Sequence, residues 1–380
     1  MKRRLFGLGL GVLLSFAFGI DAGGQEVKPE AKSEAKPAVT LEAIKDLLGM
    51  SIYLQGGYSY NFNNPDSMTN EQRLFDSKAN TFLIDLAQLQ FAKDPAVGGL
   101  GYKLKLSYGE TSKFIHAAGL GNPNDEFDLT EAHIDYVAPL GSGLKLRLGK
   151  FATYICAETI EAKDNFNYSR SFLYSWATPF THTGFMAGYK FSDAFTANLY
   201  IVNGWDVAND NNKGKTLGAS FVVTPIDPLQ LNFNFMYGPE QANNTSNNRF
   251  LFDWIGAFKA TKNLTFMANV DYAREERDPL NGGNDSEWWG AAGYAKYDFT
   301  GYLSLAIRGE YFNDGKGVRT GIAQDLKEIT LTADFRIAKN LLVRPEYRHD
   351  WSNQNAFDSE HKTFDTKSQD TVAIGVMYTW

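Results

Sequence analysis

The 380-residue sequence contains one cysteine, Cys156, so neither an internal disulfide framework nor a thiolate metal site is available to it. No stretch of about 18 uncharged apolar residues occurs after the first 22 positions, which excludes a transmembrane helix there. Histidine is scarce and scattered: His116, His133, His182, His349 and His361. There is no His-Glu-x-x-His, no Gly-rich phosphate cradle and no Gly-x-Ser-x-Gly elbow, so no cofactor motif and no catalytic constellation is legible. His133 stands between Glu131 and Asp135 at alternate positions, but residues alternating along a strand spread too far apart to close around one ion. Asn209–Asn212 and Asn281–Asp285 lack the spacing of a calcium loop and read as solvated turns. Basic excess is missing too: 37 Lys and Arg stand against 44 Asp and Glu, which argues against a nucleic-acid partner.

What is present begins with a leader. Met1-Lys2-Arg3-Arg4 is a basic n-region and Leu5 to Ile20 an uncharged apolar run, so residues 1–22 are expected to be a signal peptide. Cleavage near Ala22 removes three bases and one acid and takes the net charge from −7 to about −9. Residues 23–49 read as a flexible periplasmic segment, rich in Lys, Glu, Ala and Pro, ending in a short helix over 40–49. Thr40 is its expected N-cap and Gly49 its stop, with Leu41, Ile44 and Leu48 on one face.

From Met50 to Trp380 the pattern changes to period-2 alternation. Leu264, Phe266, Ala268, Val270 and Tyr272 alternate with Thr265, Asn269 and Asp271. The chain closes on Val372-Ala373-Ile374-Gly375-Val376-Met377-Tyr378-Thr379-Trp380, one more greasy face ending in an aromatic ring. Sixteen such segments are expected, at 50–60, 80–92, 100–110, 127–138, 143–152, 180–190, 195–205, 215–224, 229–238, 249–259, 264–275, 287–298, 302–313, 326–338, 341–352 and 369–380. Each is about the 9–11 residues that a tilted strand needs to cross a bilayer, or slightly more. The gaps between them alternate long and short, as outer loops and periplasmic turns do. The fold class is therefore all-β: a transmembrane antiparallel up-and-down β-barrel of about 16 strands, occupying 50–380, with the short helix before it. Its mean hydropathy of −0.33 fits, because half of every strand faces a polar interior. Tyr and Trp near strand ends, such as Tyr108, Tyr136, Tyr237, Trp289, Tyr297 and Tyr302, read as interface girdles.

Two segments break the pattern. In 80–92, Ile84 and Leu86 share one parity while Leu89 and Phe91 share the other, which predicts a bulge or a strand boundary displaced by one residue. Pro345 interrupts a strand that must pair on both sides, and a bulge is expected there as well.

Charged residues must turn inward, because Arg or Lys on the lipid face costs about 2–4 kcal/mol at the midplane. Inward parity then gives Lys103 and Lys105; Glu131, His133 and Asp135; Lys145 and Arg147; Asp253 and Asp271; Arg308 and Glu310; Asp334 and Arg336; Arg344, Glu346, Arg348 and Asp350. The basic–acidic–basic run over the third to fifth strands is the candidate for a charged, pore-lining wall, and an ion-pair ladder bracing the barrel is compatible with it. The longest outer loop, Thr153 to Thr178, exceeds what a compact fold leaves without purpose. Folded inward it would narrow the lumen, with Glu158, Glu161, Asp164 and Arg170 as candidate constriction residues. A solvated outer loop is the alternative.

The same region carries a resemblance. Gly149-Lys150-Phe151 leads to Glu158, then Asn165-Phe166-Asn167-Tyr168-Ser169-Arg170-Ser171, Ala177-Thr178-Pro179-Phe180-Thr181-His182-Thr183-Gly184 and Asn203-Gly204-Trp205-Asp206. Together these resemble the OmpL-like β-barrel porin family, over residues 50–380. Cys156 stands where a small, glycine-like residue is expected. The resemblance implies an outer-membrane porin of a Gram-negative bacterium, passing ions and small hydrophilic solutes by passive diffusion, with no catalytic residue to carry over. An outer-membrane barrel enzyme and a closed structural or adhesive barrel are the rival functions. The expected partners are outer-membrane lipids, the barrel-assembly machinery through the strand ending in Trp380, and further copies of the chain in a homotrimer.

Overall fold

Sixteen antiparallel strands, each hydrogen-bonded to its sequence neighbour, close when the first pairs with the last. The computed structural model describes residues 40–122 and 124–380. The expected signal peptide and the segment 23–39 lie outside the described residues. The strands are β1 Met50–Asn61, β2 Thr81–Lys93, β3 Leu100–Tyr108, β4 Phe127–Ala138, β5 Leu144–Ala152, β6 Thr181–Ser192, β7 Phe195–Val202 and β8 Thr216–Ile226. They continue as β9 Leu229–Gly238, β10 Arg249–Lys259, β11 Leu264–Asp278, β12 Asn284–Asp298, β13 Leu303–Asp314, β14 Gln324–Ala338, β15 Leu341–Ser352 and β16 Ser368–Thr379. Helix α1, Leu41–Leu48, precedes the barrel, and its Lys45 ammonium lies 4.1 Å from the Trp380 ring centroid. Helix α2, Glu110–Ile115, lies in the loop after β3.

The alternation works as expected. On β16, Val372, Ile374 and Val376 face outward while Ala373, Gly375 and Met377 are buried. Tyr108, Tyr136, Tyr237, Tyr297 and Tyr302 are exposed at or near strand ends, where amphipathic rings sit best, and Trp289 is exposed further inside β12. Closure leaves no sheet edge, the condition for β-structure in lipid.

Three local findings refine the sequence reading. The register of β1 against β2 shifts where Leu86 faces Gln55 and Ile84 faces Gly56, so Asp85 is the extra, bulged residue. Its carboxylate turns inward, which explains the change of parity. Pro345 is a correction. Thr332 pairs with Glu346 and Phe335 with Val343 in one unbroken register, so no bulge forms there. The missing N–H is absorbed by a gap in the pairing at Ala333 and Asp334, while Pro345 stays opposite Ile374 on the other side. Finally, β11 and β12 run longer than expected, leaving only residues 279–283 as their loop. The Arg274–Asp285 pair, 2.5 Å apart and exposed, extends this hairpin outward as a solvated ribbon.

Candidate functional site

Loop 3, residues 153–180, folds into the barrel. A chain without regular structure must find partners for its backbone N–H and C=O groups wherever water is excluded. The inner face of β13–β15 supplies them by alternating acids and bases. Glu310 accepts from the N–H groups of Phe172 and Leu173 at 2.7 and 2.6 Å. Glu346 accepts from Tyr168 and Ser169 at 2.6 and 2.9 Å. Arg308 donates to the Ser169 carbonyl at 2.9 Å, Arg344 to those of Ala162 and Asn167 at 2.6 and 2.9 Å, and Arg348 to that of Arg170 at 2.6 Å. The charges are themselves paired. Arg308 meets Glu158 at 2.8 Å and Glu328 at 2.6 Å, Arg344 meets Asp334 at 2.5 Å, and Arg348 meets Asp350 at 2.6 Å. All these side chains are buried. On this wall the bracing ladder and the loop clamp are the same set of residues.

Other anchors hold the loop's two ends. The Cys156 and Ala157 N–H groups donate to Asp253 and Asn269 on β10 and β11 at 3.2 and 2.9 Å. Asp253 stands opposite Asp271 in register, and both are buried. Cys156 has a φ of 77°, which matches the glycine-like residue expected there. At the far end the Asp206 carboxylate accepts from Phe180 and Thr181, both at 2.8 Å. Burial lifts the Asp206 carboxyl to about 6 despite these two donors.

In the middle, the Tyr168 hydroxyl donates to the bulged Asp85 at 2.5 Å. Two glycines make room for this ring. Gly57 of β1 and Gly375 of β16 are register partners, and a Cβ on Gly375 would come within 2.4 Å of the Tyr168 ring. Gly375→Val is therefore expected to lift Tyr168 off the wall, loosen loop 3 and make the single-channel current noisier while the barrel still forms. A quiet current in that variant would show that Tyr168 does not hold the loop.

Across the lumen the wall of β3–β5 is different. Lys103 and Lys105 both reach one oxygen of Glu131, at 2.8 and 3.0 Å. Lys145 and Arg147 both reach Asp135, at 3.0 and 2.8 Å. His133 lies between the acids, 3.0 Å from Asp135. Loop 3 meets this wall where Glu161 pairs with Lys105 at 2.6 Å. Burial opposes ionisation of Glu161, but the Lys105 ammonium outweighs it and holds the carboxyl below its usual range.

The expected constriction residues therefore part company. Glu161 faces the basic wall at Lys105. Glu158 faces Arg308 on the opposite wall. Asp164 is exposed beside Lys163, 2.6 Å away. Arg170 turns back on its own loop, donating to the carbonyls of Thr159, Tyr168 and Ile160. Of the expected wall residues, Lys103, Lys105, Glu131, Asp135, Lys145 and Arg147 stand together on one side of loop 3. Arg308, Glu310, Asp334, Arg344, Glu346 and Arg348 are buried behind it, and Arg336 is exposed at the periplasmic end of β14.

Several contributors gave no sequence signal. Arg73, from the loop after β1, reaches into the lumen and meets Asp350 at 2.5 Å and Asp76 at 2.9 Å. Its neighbour Phe75 packs on Tyr174 and Phe180 with ring centroids 5.4 and 5.5 Å apart, and these two rings lie 5.3 Å from each other. Inward parity marks Glu328, but nothing singles it out from other polar residues.

Between loop 3 and β1–β5 lies a cavity of about 480 Å³. It begins near Trp380, Ser51 and Gln90, passes Lys103, Lys105, Glu131 and Glu161, and ends against Tyr174 and Phe180.

Similar architectures occur in solved structures. The anion-selective porin from Comamonas acidovorans matches with a TM-score of 0.59 at 11% identity, over 87% of this chain and 98% of that one. The outer-membrane channel DcaP of Acinetobacter baumannii matches with 0.58 at 12%, over 87% and 96%. In-vitro folded OmpT of Vibrio cholerae, in a trimer form, matches with 0.53 at 14%, over 87% and 98%. At these identities the likeness is one of fold. No curated protein matches the sequence. The family model described as "Putative beta-barrel porin-2, OmpL-like" matches residues 48–380, the whole of the barrel. The chain belongs to this family, and it is an outer-membrane porin, a channel for solute diffusion.

Proposed function

We propose that solutes pass through the space between loop 3 and the β1–β5 wall, and that this path favours anions. The observation that carries the reading is the unequal exposure of the charges paired on the β3–β5 wall. The side chains of Lys103, Lys145 and Arg147 are 29%, 36% and 21% exposed, whereas their partners Glu131 and Asp135 are each 4% exposed. The acids lie behind the bases, so a passing ion meets cationic heads first. At short range the nearer charge dominates the potential, even where formal charges balance. The family implies transport rather than catalysis, and the barrel's work is read as passive sorting by size and charge. The basic and apolar leader 1–22 directs export, and the closing strand with Trp380 presents the chain to the assembly machinery. A trimer like that of OmpT suits the exposed apolar outer wall.

The test is a reversal potential in a salt gradient across a planar bilayer. Wild-type protein is expected to select chloride over potassium. Lys103→Glu combined with Lys145→Glu is expected to turn the preference towards cations. The difference should shrink at 1 M salt, where the screening length is about 3 Å. Selectivity indifferent to both reversals would place the path elsewhere.

A further inference from the structure

We propose that the cavity beside loop 3 is a binding site for small aromatic carboxylates, which cross this porin in preference to aliphatic ones of the same charge. The inference rests on the reading of that cavity as the solute path. Its lining divides by chemistry along its length. Towards the periplasm it carries the ammonium groups of Lys103 and Lys163. Both are partly exposed; Lys163 is paired with Asp164 at 2.6 Å, and Lys103 shares Glu131 with Lys105. An ammonium offers three donors, and Lys103 uses one of them on Glu131, so it has donors left for an incoming carboxylate.

At its outer end the cavity stops against Tyr174 and Phe180. These rings are held rigidly. They pack on each other and on Phe75, and the Arg170 guanidinium lies 5.0 Å from the Phe75 centroid. Tyr174 and Phe180 are themselves buried and offer the cavity little more than ring edges, and an edge-to-face contact with rings already fixed favours a flat aromatic body at little entropic cost. A hydrated inorganic ion gains nothing from that wall, and a short aliphatic acid gains little. Cationic donors at one end and apolar rings at the other suit a solute with a carboxylate joined directly to a ring. A volume of about 480 Å³ lies within the range of small-molecule sites.

Benzoate, acetate and benzyl alcohol separate the contributions of ring and charge. Calorimetric titration of the full-length barrel in detergent is expected to show benzoate binding at least about tenfold tighter than either of the others. Phe180→Ala should weaken benzoate about tenfold and leave acetate unchanged, and Lys103→Met should weaken benzoate without affecting benzyl alcohol. In planar bilayers benzoate should reduce the chloride current through wild-type channels in a saturable manner. Equal affinity for benzoate and acetate, or a folded Phe180→Ala that binds benzoate like the wild type, overturns the proposal. If Phe180→Ala fails to fold, Lys103→Met and the three-solute comparison decide it. The two readings fail differently: absent chloride steps would refute the solute path itself, whereas steps indifferent to benzoate would refute only the aromatic site.

Discussion

Replacing residues 157–170 with a short Gly-Ser linker is expected to raise single-channel conductance about threefold or more, because a bare sixteen-stranded barrel leaves a wide aqueous channel. The narrowest section of a water-filled pore dominates its resistance, and here that section is made by the loop. The excised segment carries Glu158, Glu161 and Tyr168, which meet Arg308, Lys105 and Asp85. Once it is gone, Arg308, Arg344, Glu346 and Arg348 face water, which can solvate them, so the barrel should still assemble. Thermal stability should fall, since hydrogen bonds to charged groups contribute about 1.5–3 kcal/mol each where water does not replace them. Lys105 loses its Glu161 partner, so the enlarged pore should become more anion-selective at low salt. The measurement is conductance and reversal potential on protein whose heat-modifiable band proves a folded barrel. Unchanged conductance would mean that loop 3 does not set the pore.

The barrel itself was legible in the sequence because it rests on local rules. Parity separates lipid from lumen, and residues such as Val372, Ile374 and Val376 obey it without exception. The β2 anomaly signalled an irregularity in that strand, because one extra residue must flip every side chain beyond it, but it did not single out Asp85. Loop 3 drew attention by length alone. Its destination was not legible. Parity assigns Arg308 to the interior but cannot say that Glu158, 150 positions earlier, will meet it there. Nor can it separate a base that lines water from one that clamps a loop. Lys103 and Arg344 have the same inward parity, yet one head is partly exposed and the other is 1% exposed. What divides them is which wall the loop rests on, and that depends on the angular position of strands far apart in the chain. Pro345 was misread for a related reason. The cost of one missing donor can be met by a local gap in the pairing, and a bulge is only one of the available solutions.

Arg308 is the position where the clamp should fail most sharply. Its guanidinium is 0% exposed and bonds Glu158, Glu328 and the Ser169 carbonyl. Arg308→Ala removes one charge and leaves two carboxylates facing each other in a site closed to solvent. Breaking a buried pair from one side costs about 3–5 kcal/mol, far more than an exposed pair is worth. Loop 3 also loses the donor to its Ser169 carbonyl, although Glu346 still holds the Ser169 N–H, and Glu158 keeps its bond from the Ser171 N–H at 2.7 Å. The expected result is a large drop in the denaturant midpoint in detergent, together with a flickering, higher-conductance channel. Arg308→Lys should recover little, since a single ammonium cannot span two carboxylates and a carbonyl as the planar fork does. Arg308→Met combined with Glu158→Gln and Glu328→Gln removes the charges from both sides and should recover most of the midpoint. It should not restore the quiet current, because the Ser169 carbonyl still lacks its donor. Stability and gating noise should therefore separate in the triple variant. If Arg308→Ala keeps a wild-type midpoint and a quiet current, the buried trio does not hold loop 3, and the clamp must lie in Glu310, Glu346, Arg344 and Arg348.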